Sequence, residues 1–366
     1  MKVLHMADMH LQWPFAGMGP DGRRRREELK DVFTGIIDLA AEQQVDLLLI
    51  AGDLFEHSGA TRGLIKFIDD QFRRIPRTRV FISPGNHDPY LPGSYYEQYA
   101  WAPNVHIFRP EVERVDLDDL PVSVYGWGFG AWEVWEYQLA SLRVVDPARL
   151  NLVVMHGGDE AYHPFQPADL TAIGADYVAL GHIHKPGVFA ERFGRVVACY
   201  SGSPEPLGFG EPGAHGVYLG TVSKLANQLE FVPLARREYI TAEVDVTGAV
   251  SLEDLADRIR WSDSEEARLE NCYRLTLTGT VDPELVPDVA LLTEKLASDF
   301  YYLKLADETR PDYDLQAMAR ERSARGVFVQ RLLTMAEEAT DPTERSRINR
   351  AIVLGLTAFG RKGAVR

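Results

Sequence analysis

Apolar positions along the first 235 residues come in short unbroken runs, separated by longer stretches with a helical repeat. Residues 3–6, 46–51 (DLLLIA), 80–82, 122–127 (VSVYGW), 151–155 (NLVVM), 177–180 (YVAL) and 196–200 (VVACY) read as strands. Strands that are apolar throughout, rather than alternating, are buried on both faces. Residues 25–43 set Leu29, Val32, Phe33, Ile36, Ile37 and Ala40 on one stripe, the spacing of an amphipathic helix, and a second helical pattern runs near 61–74. The order predicts an α/β fold, a layered sheet core with helices on both sides.

The pattern changes near residue 235. Ile240, Ala242, Val244 and Val246 alternate with Thr241, Glu243 and Asp245, as in a half-exposed strand, and YRLTLTG (273–279) repeats the alternation. SLED (251–254) offers Ser251 as a helix cap, with Asp254 where Glu is usual. From 312 onward the pattern is helical. DPTE (341–344) places Asp341 at a cap, Pro342 at the first helical position and Glu344 three after the cap. Ile348, Ile352, Leu356 and Phe359 then line one face, which reads as packing within the chain or, by a small margin, as a dock for another chain. Three domains are expected: 1–236, a small α+β domain over 237–310, and a helical tail over 311–366.

Composition adds two points. An apolar share of 45% over 366 residues supports a sizeable core, and a net charge of −15 argues against a non-specific nucleic-acid coat. Residues 312–366 carry ten basic and seven acidic side chains, so the remainder is more acidic still. Part of that acidity suits carboxylates that hold a divalent cation. MKVLHMADMH is charged too early for a signal peptide, and no stretch reaches ~18 uncharged apolar residues, so a cytoplasmic protein without a membrane anchor is expected. Cys199 and Cys272 form neither a metal motif nor a disulfide framework.

The chemistry lies where the strands stop. Residues 3–6 run into Asp8 and His10, DLLLIA into Asp53, VFISP into Asn86, His87 and Asp88, NLVVM into His156, and YVAL into His182 and His184. Open α/β sheets build their sites at the carboxyl ends of strands. D-x-H and H-x-H each put two side chains on one face of an extended segment. Glycines before Asp53, Asn86 and His182 are expected to turn the backbone sharply. Each piece alone is unremarkable turn or core chemistry; five together are not. Asp8, His10, Asp53, Asn86, His156, His182 and His184 make seven candidate ligands. With one shared carboxylate they supply four to each of two ions, the layout of a two-metal hydrolase. Imidazole and oxygen donors without thiolate suit manganese, iron or zinc.

D-x-H, GD, GNHD, H and GHIH, in this order, resemble the calcineurin-like metallophosphoesterase superfamily over about the first 210 residues. HMADMHLQ, GDLFEH, SPGNHD, GHIHKP and YSGSPEP are similar to its SbcD-type branch of DNA double-strand-break repair nucleases. The resemblance implies one metal on Asp8, His10, Asp53 and His184, and a second on Asp53, Asn86, His156 and His182, with Asp53 bridging. It sets catalytic His87 beside the scissile phosphate and Asp88 behind it as its orienting group. It further implies manganese as the metal, DNA as substrate, an SMC-like (SbcC-type) ATPase partner docking on the tail, and a homodimer. One departure stands out: some members place a His directly after G-D-L-F, where this chain has Glu56, with His57 one residue later.

Two alternatives come from the same residues. The metal core would equally serve a small-molecule phosphoesterase acting on a nucleotide or lipid headgroup, or be retained in a docking module without activity. RRRR (23–26) is either a positive rim for phosphates or a solvated helix start. The run YGWGFGAWEVWEY (125–137) is either a base-stacking rim or packing. Trp13 and Phe15 are placed for substrate contact, whereas His5, His106, His163 and His215 read as structural.

Overall fold

The computed structural model describes residues 1–135, 139 and 142–360. The chain divides into two compact units, one of residues 1–240 with 270–272, the other of residues 241–269 with 273–366.

Among its described residues the first unit holds twelve strands: β1 (Lys2–Met6), β2 (Leu47–Ile50), β3 (Arg79–Ile82), β4 (Val105–Ile107), β5 (Glu113–Asp116), β6 (Val122–Gly126), β7 (Leu150–His156), β8 (Tyr177–Gly181), β9 (Gly187–Arg192), β10 (Arg195–Tyr200), β11 (Gly216–Val222) and β12 (Asn227–Pro233). They form two six-stranded sheets, ordered β12-β11-β1-β2-β3-β4 and β5-β6-β7-β8-β10-β9. β1 to β4 run parallel, as do β6, β7, β8 and β10; the hairpin strands at the edges are antiparallel.

Alternate side chains of the two sheets meet in one core. Val3, Leu47, Leu49 and Phe81 from the first pack with Val122, Val124, Leu152, Val154, Tyr177 and Ala179 from the second. The outer face of the second sheet, with Tyr125, Val153, Met155, Val178 and Leu180, is covered by Leu139, Leu142, Phe165, and Leu170 of α4 (Pro167–Ala172). On the first sheet, Leu48 and Ile50 point the other way by the two-residue period. The buried stripes of α1 (Asp21–Glu42) and α2 (Arg62–Arg73) are the helical complement; Phe33 meets Phe72 edge-on at 5.9 Å. α3 (Tyr95–Gln98) is a single turn. Helices with two central sheets answer to the layered α/β expectation, with two sheets where one was read.

The second unit contains a three-stranded sheet of β13 (Tyr239–Asp245), β14 (Cys272–Thr278) and β16 (Tyr302–Asp307), and a short pair of β15 (Thr280–Val281) with β17 (Arg310–Pro311). Its helices are α5 (Leu252–Arg260), α6 (Glu265–Glu270), α7 (Val289–Lys295), α8 (Leu315–Ala319), α9 (Ala324–Glu338) and α10 (Pro342–Gly360). Ser251 caps α5 by accepting from the Asp254 N–H, and Pro342 opens α10 behind Asp341, whose carboxylate accepts from the Thr343 N–H. Of the two readings of the tail stripe, packing within the chain is the one seen, and the dock is not. Ile348, Ile352 and Leu356 are buried with Val329 and Ala336 of α9, because two amphipathic helices joined by a short turn cover each other; Phe359 alone of the four stays half-exposed.

Candidate metal centre

The first sheet ends its parallel strands in register: Met6 pairs with Ile50, and Ile50 with Ile82. The polar residues that follow therefore emerge side by side. The loops after β1 and β2 hold each other through backbone bonds, Asp8 N–H to the Gly52 carbonyl (3.0 Å) and His10 N–H to the Asp53 carbonyl (2.9 Å). Asp8, His10, Asp53 and His182 all take positive φ, at 53°, 45°, 51° and 100°. Non-glycine residues in that region carry strain of about 1–3 kcal/mol each, and persist where surroundings impose it. Of the three glycines expected to turn the backbone, only Gly52 has positive φ, 92°. Gly85 and Gly181 are needed for space instead: a Cβ on Gly85 would overlap the Asp53 carboxylate, and one on Gly181 the Ala51 carbonyl oxygen.

The side chains converge between the ends of the two sheets. His10 Nε2 lies 3.1 Å from His184 Nε2 and 3.7 Å from Asp53 Oδ2. His156 Nε2 lies 3.3 Å from Asp53 Oδ2 and 3.0 Å from Asn86 Oδ1. Donor atoms of Asp8, His10 and His184 fall within 4.8 Å of one another, as do those of Asp8, Asp53 and His156, and of His10, Asp53 and His87. His182 stands at the rim. Its backbone N–H donates to the Asp8 carboxylate, its ring packs edge-on against His156 at 5.2 Å, and its Nε2 meets Asp159 at 3.1 Å.

The outer atoms of these rings are also held. His10 Nδ1 faces Glu56 Oε1 at 2.6 Å, His184 Nδ1 faces Glu211 Oε1 at 2.7 Å, and His156 Nδ1 faces the Ala51 carbonyl at 2.8 Å. Partners of this kind take the Nδ1 proton of the neutral ring and leave Nε2 facing inward as the nitrogen that a cation would bind. Sequence reasoning gives neither Glu56 nor Glu211 a part in the centre. Glu56 had a signal, a charged residue three after Asp53; Glu211, in an ordinary GEPG loop, had none.

Asp88 takes a different place from the one expected. Its carboxylate accepts from the backbone N–H groups of Gly85 (2.7 Å), Asp53 (3.1 Å) and Leu54 (2.7 Å), and from the Tyr96 hydroxyl (2.7 Å). It thus clamps the loop that carries Asp53, and burial, with the Asp53 charge nearby, lifts its pKa to about 6. The group against the His87 ring is Glu56, whose Oε2 lies 3.1 Å from Nδ1. That bond raises the proton affinity of His87 above the ordinary imidazole range, against burial, which lowers it. Burial also works against a charge on His156, yet Asp53 and Asp8 outweigh it and carry its pKa to about 9. A field that holds a proton so firmly on a buried ring is one that attracts cations.

Residues 1–186 match the Calcineurin-like phosphoesterase family. The chain belongs to the calcineurin-like phosphoesterase family. Similar members include the uncharacterized metallophosphoesterase YhaO of Bacillus subtilis, 32% identical over 76% of this chain and 72% of that protein. The DNA double-strand break repair protein Mre11 of Methanopyrus kandleri is 26% identical over 88% of this chain and 76% of its own. The D component of the nuclease SbcCD of Rhodobacter capsulatus is 27% identical over 60% of this chain and 66% of its own. Homologues so named agree with the SbcD-type resemblance.

Calcineurin-like phosphoesterases depend on divalent metals, and the donor set here fits them. Two imidazole edges 3.1 Å apart, each with its outer nitrogen tied to a carboxylate, turn lone pair toward lone pair unless a proton or a cation lies between. Two buried aspartates add negative charge at the same point, Asp8 and Asp53 being 0% and 1% exposed. Buried carboxylates are usually paired with arginine or lysine. Among the described residues, the ring nitrogens that approach Asp8 and Asp53 within ion-pair distance are those of His10 and His156.

The remaining candidates fall into place around the centre. Of RRRR, Arg25 is fully buried between Glu28 and Glu205 and belongs to no rim, while Arg23 and Arg24 are exposed. Trp13 packs edge-on against His10 at 5.4 Å and Phe15 is buried. His5, His163 and His215 are buried as structural residues, and His106 is half-buried against Phe108. The aromatic run splits: Trp127 is core, whereas Trp132 and Trp135 are 51% and 60% exposed; Glu136 and Tyr137 lie outside the described residues. No helix among the described residues is long and apolar enough to cross a membrane.

Proposed function

We propose that this chain is a two-metal phosphodiesterase, a DNA exo- or endonuclease subunit that acts in double-strand-break repair with an SMC-like, SbcC-type ATPase. The observation that carries the reading is the pair His10 and His184, inner nitrogens facing at 3.1 Å with both outer nitrogens fixed by Glu56 and Glu211. The relatives named for break repair and for a nuclease support DNA as the substrate. Asp8, His10, Asp53 and His184 would hold one ion, and Asp53, Asn86, His156 and His182 the other, manganese being the metal we favour. Bound there, the ions would neutralise phosphate charge and supply hydroxide at neutral pH.

The chain's own groups do the rest. Asp53, with a carboxylate reached by both His10 and His156, sets the spacing. His87, half-exposed at the mouth and backed by Glu56, is the proton donor to the leaving oxygen. Asp88 acts through the Asp53 loop rather than through His87. Residues 1–236 would carry the chemistry, 237–310 would cap DNA, and 311–366 would engage the ATPase, in a cytoplasmic homodimer.

The test is cleavage of linear duplex and single-stranded DNA with Mn2+, Mg2+ or chelator. Chelator should abolish cleavage. Asp53→Ala should lose bound metal by elemental analysis. His87→Gln should keep it while kcat falls roughly 10²–10⁴-fold. Intact DNA beside rapid hydrolysis of a nucleotide or headgroup diester would replace this reading with the small-molecule one.

A further inference from the structure

Beside the metal centre lies a cleft of about 240 Å3, into which Asn86 and His87 open from the catalytic side. Its other walls are Trp132, Glu133, Tyr162, Ser58 and Glu56. We propose that this cleft is a nucleobase subsite, which takes an unpaired base next to the scissile phosphate with Trp132 as its stacking surface. The proposal rests on the phosphodiesterase reading and adds to it the form of the substrate.

Trp132 is the first observation. A tryptophan more than half exposed leaves a large flat apolar face in water, which a ligand ring can cover. Its position is set by the fold. Val134, two residues on, forms a bridge with Tyr162, its N–H donating to the Ala161 carbonyl (2.9 Å) and its carbonyl accepting from the His163 N–H (2.8 Å). Tyr162 in turn packs over the His182 ring at 4.7 Å, and Trp132 stands edge-on to His57 at 5.3 Å. The indole is thereby tied at both ends to the loops that carry the candidate ligands.

Charge is the second. The walls include two carboxylates, Glu56 and Glu133, and no lysine or arginine among the described residues. Such a lining repels a second phosphate, so the anionic part of the substrate belongs at the metal centre and a neutral part belongs here. Carboxylate and hydroxyl oxygens accept from the amino groups on a base edge, and a free indole face stacks on any base. A base inside a duplex is stacked and paired, so it reaches Trp132 only from a frayed end, an overhang or a single strand.

The test reads binding apart from cleavage. Full-length protein loaded with manganese is titrated calorimetrically with deoxyadenosine 5′-monophosphate and with deoxyribose 5-phosphate, which lacks the base. Wild type should bind the nucleotide about 5- to 150-fold more tightly, the range that stacking on one aromatic ring supplies. Trp132→Ala should erase that preference and leave deoxyribose 5-phosphate binding unchanged, while Trp132→Phe should retain most of it. Equal affinities in wild type, or an equal loss for both ligands in Trp132→Ala, would overturn the subsite. DNA cleavage by the same preparations separates the two readings. Cleavage without a base preference removes the subsite and leaves the nuclease; a base preference without cleavage does the reverse.

Discussion

Two buried clusters of charge lie in the first unit, and they are built on opposite plans. In one, Arg25 and Arg237 face Glu28 and Glu205. Arg25 reaches Glu28 at 2.6 Å and Glu205 at 2.7 Å, and Arg237 closes on Glu28 at 2.5 Å. Each carboxylate has a guanidinium, the side chains are at most 7% exposed, and the Arg25 ion also lies over the Phe15 ring at 5.2 Å. In the other, Asp8, Asp53, Glu56 and Glu211 surround imidazoles whose inner nitrogens point at one another. In the first cluster every carboxylate meets a guanidinium. The second has donors aimed at a point that no described side chain fills. A buried charge cluster that closes on itself holds structure; one that leaves lone pairs converging is arranged for a ligand.

Removing one member from each should give opposite failures. Asp53→Ala takes away the carboxylate that both His10 and His156 reach, and, on the proposed two-metal reading, several kcal/mol of transition-state stabilisation with it. Activity should drop roughly 10⁴-fold, the conversion of ~5.5 kcal/mol, with the denaturation midpoint of the chelator-treated protein little changed. Arg25→Met should do the reverse. It leaves Glu205 buried without its partner and should cost about 3–5 kcal/mol in denaturant unfolding, while manganese affinity, measured on the fraction that stays folded, holds. If Arg25→Met released metal at full stability, the division between the clusters would fail.

That division was only half legible in the sequence. Candidates such as Asp8, Asp53 and His156 could be named because each directly follows a continuous apolar run. Arg25 was read within RRRR as rim or solvated start, because a charge run gives no hint that one of its members is buried; its partner Glu205 is 180 residues away. The strands β1, β2, β3, β6, β7, β8 and β10 were readable for the same reason as the ligands, whereas β11 was not. The edge strands β4, β5, β9 and β12 were not, since their residues are largely half-buried or exposed and lack the continuous apolar signature. Nor could the sequence divide the strands between two sheets, because pairing is a long-range choice that the local period does not encode. Glu56 and Glu211 escaped because their work is defined by which ring they touch.

Acid separates the clusters next. The Glu28 carboxyl is buried, which raises its pKa, but bonds from Arg237 and Arg25 outweigh this and hold it down at about 2, against an ordinary value of 4.5. A carboxyl lowered in the folded state adds stability that is fully present above its unfolded pKa and is lost as pH falls through the folded one. The stability gap between wild type and Glu28→Gln should therefore be about 1.5–3 kcal/mol at neutral pH, the worth of hydrogen bonds to a charged group. It should stay flat down to pH 4.5 and close between pH 4.5 and 2. A gap that opened on acidification would reverse the sign assigned to Glu28.

The smallest effect probes the open cluster from behind. Glu56 answers two rings at once, His10 through Oε1 and His87 through Oε2. Glu56→Gln keeps the shape but turns one acceptor into a donor, so only one ring retains its partner. Outer partners of ligating histidines are worth about 10- to 100-fold in metal affinity or activity. If the amide oxygen stays on His10, metal affinity survives and kcat falls; if it stays on His87, affinity falls first. Glu211→Gln can still accept from His184 with its one oxygen and loses only the bond from the Leu207 N–H, 2.8 Å in the native chain, so its effect should be the weaker of the two. Equal effects from both variants would mean that Glu56 serves His10 alone. A larger effect from Glu56→Gln, seen in kcat as well as in manganese titration, is what a carboxylate joining the candidate ligand His10 to the proposed proton donor His87 requires.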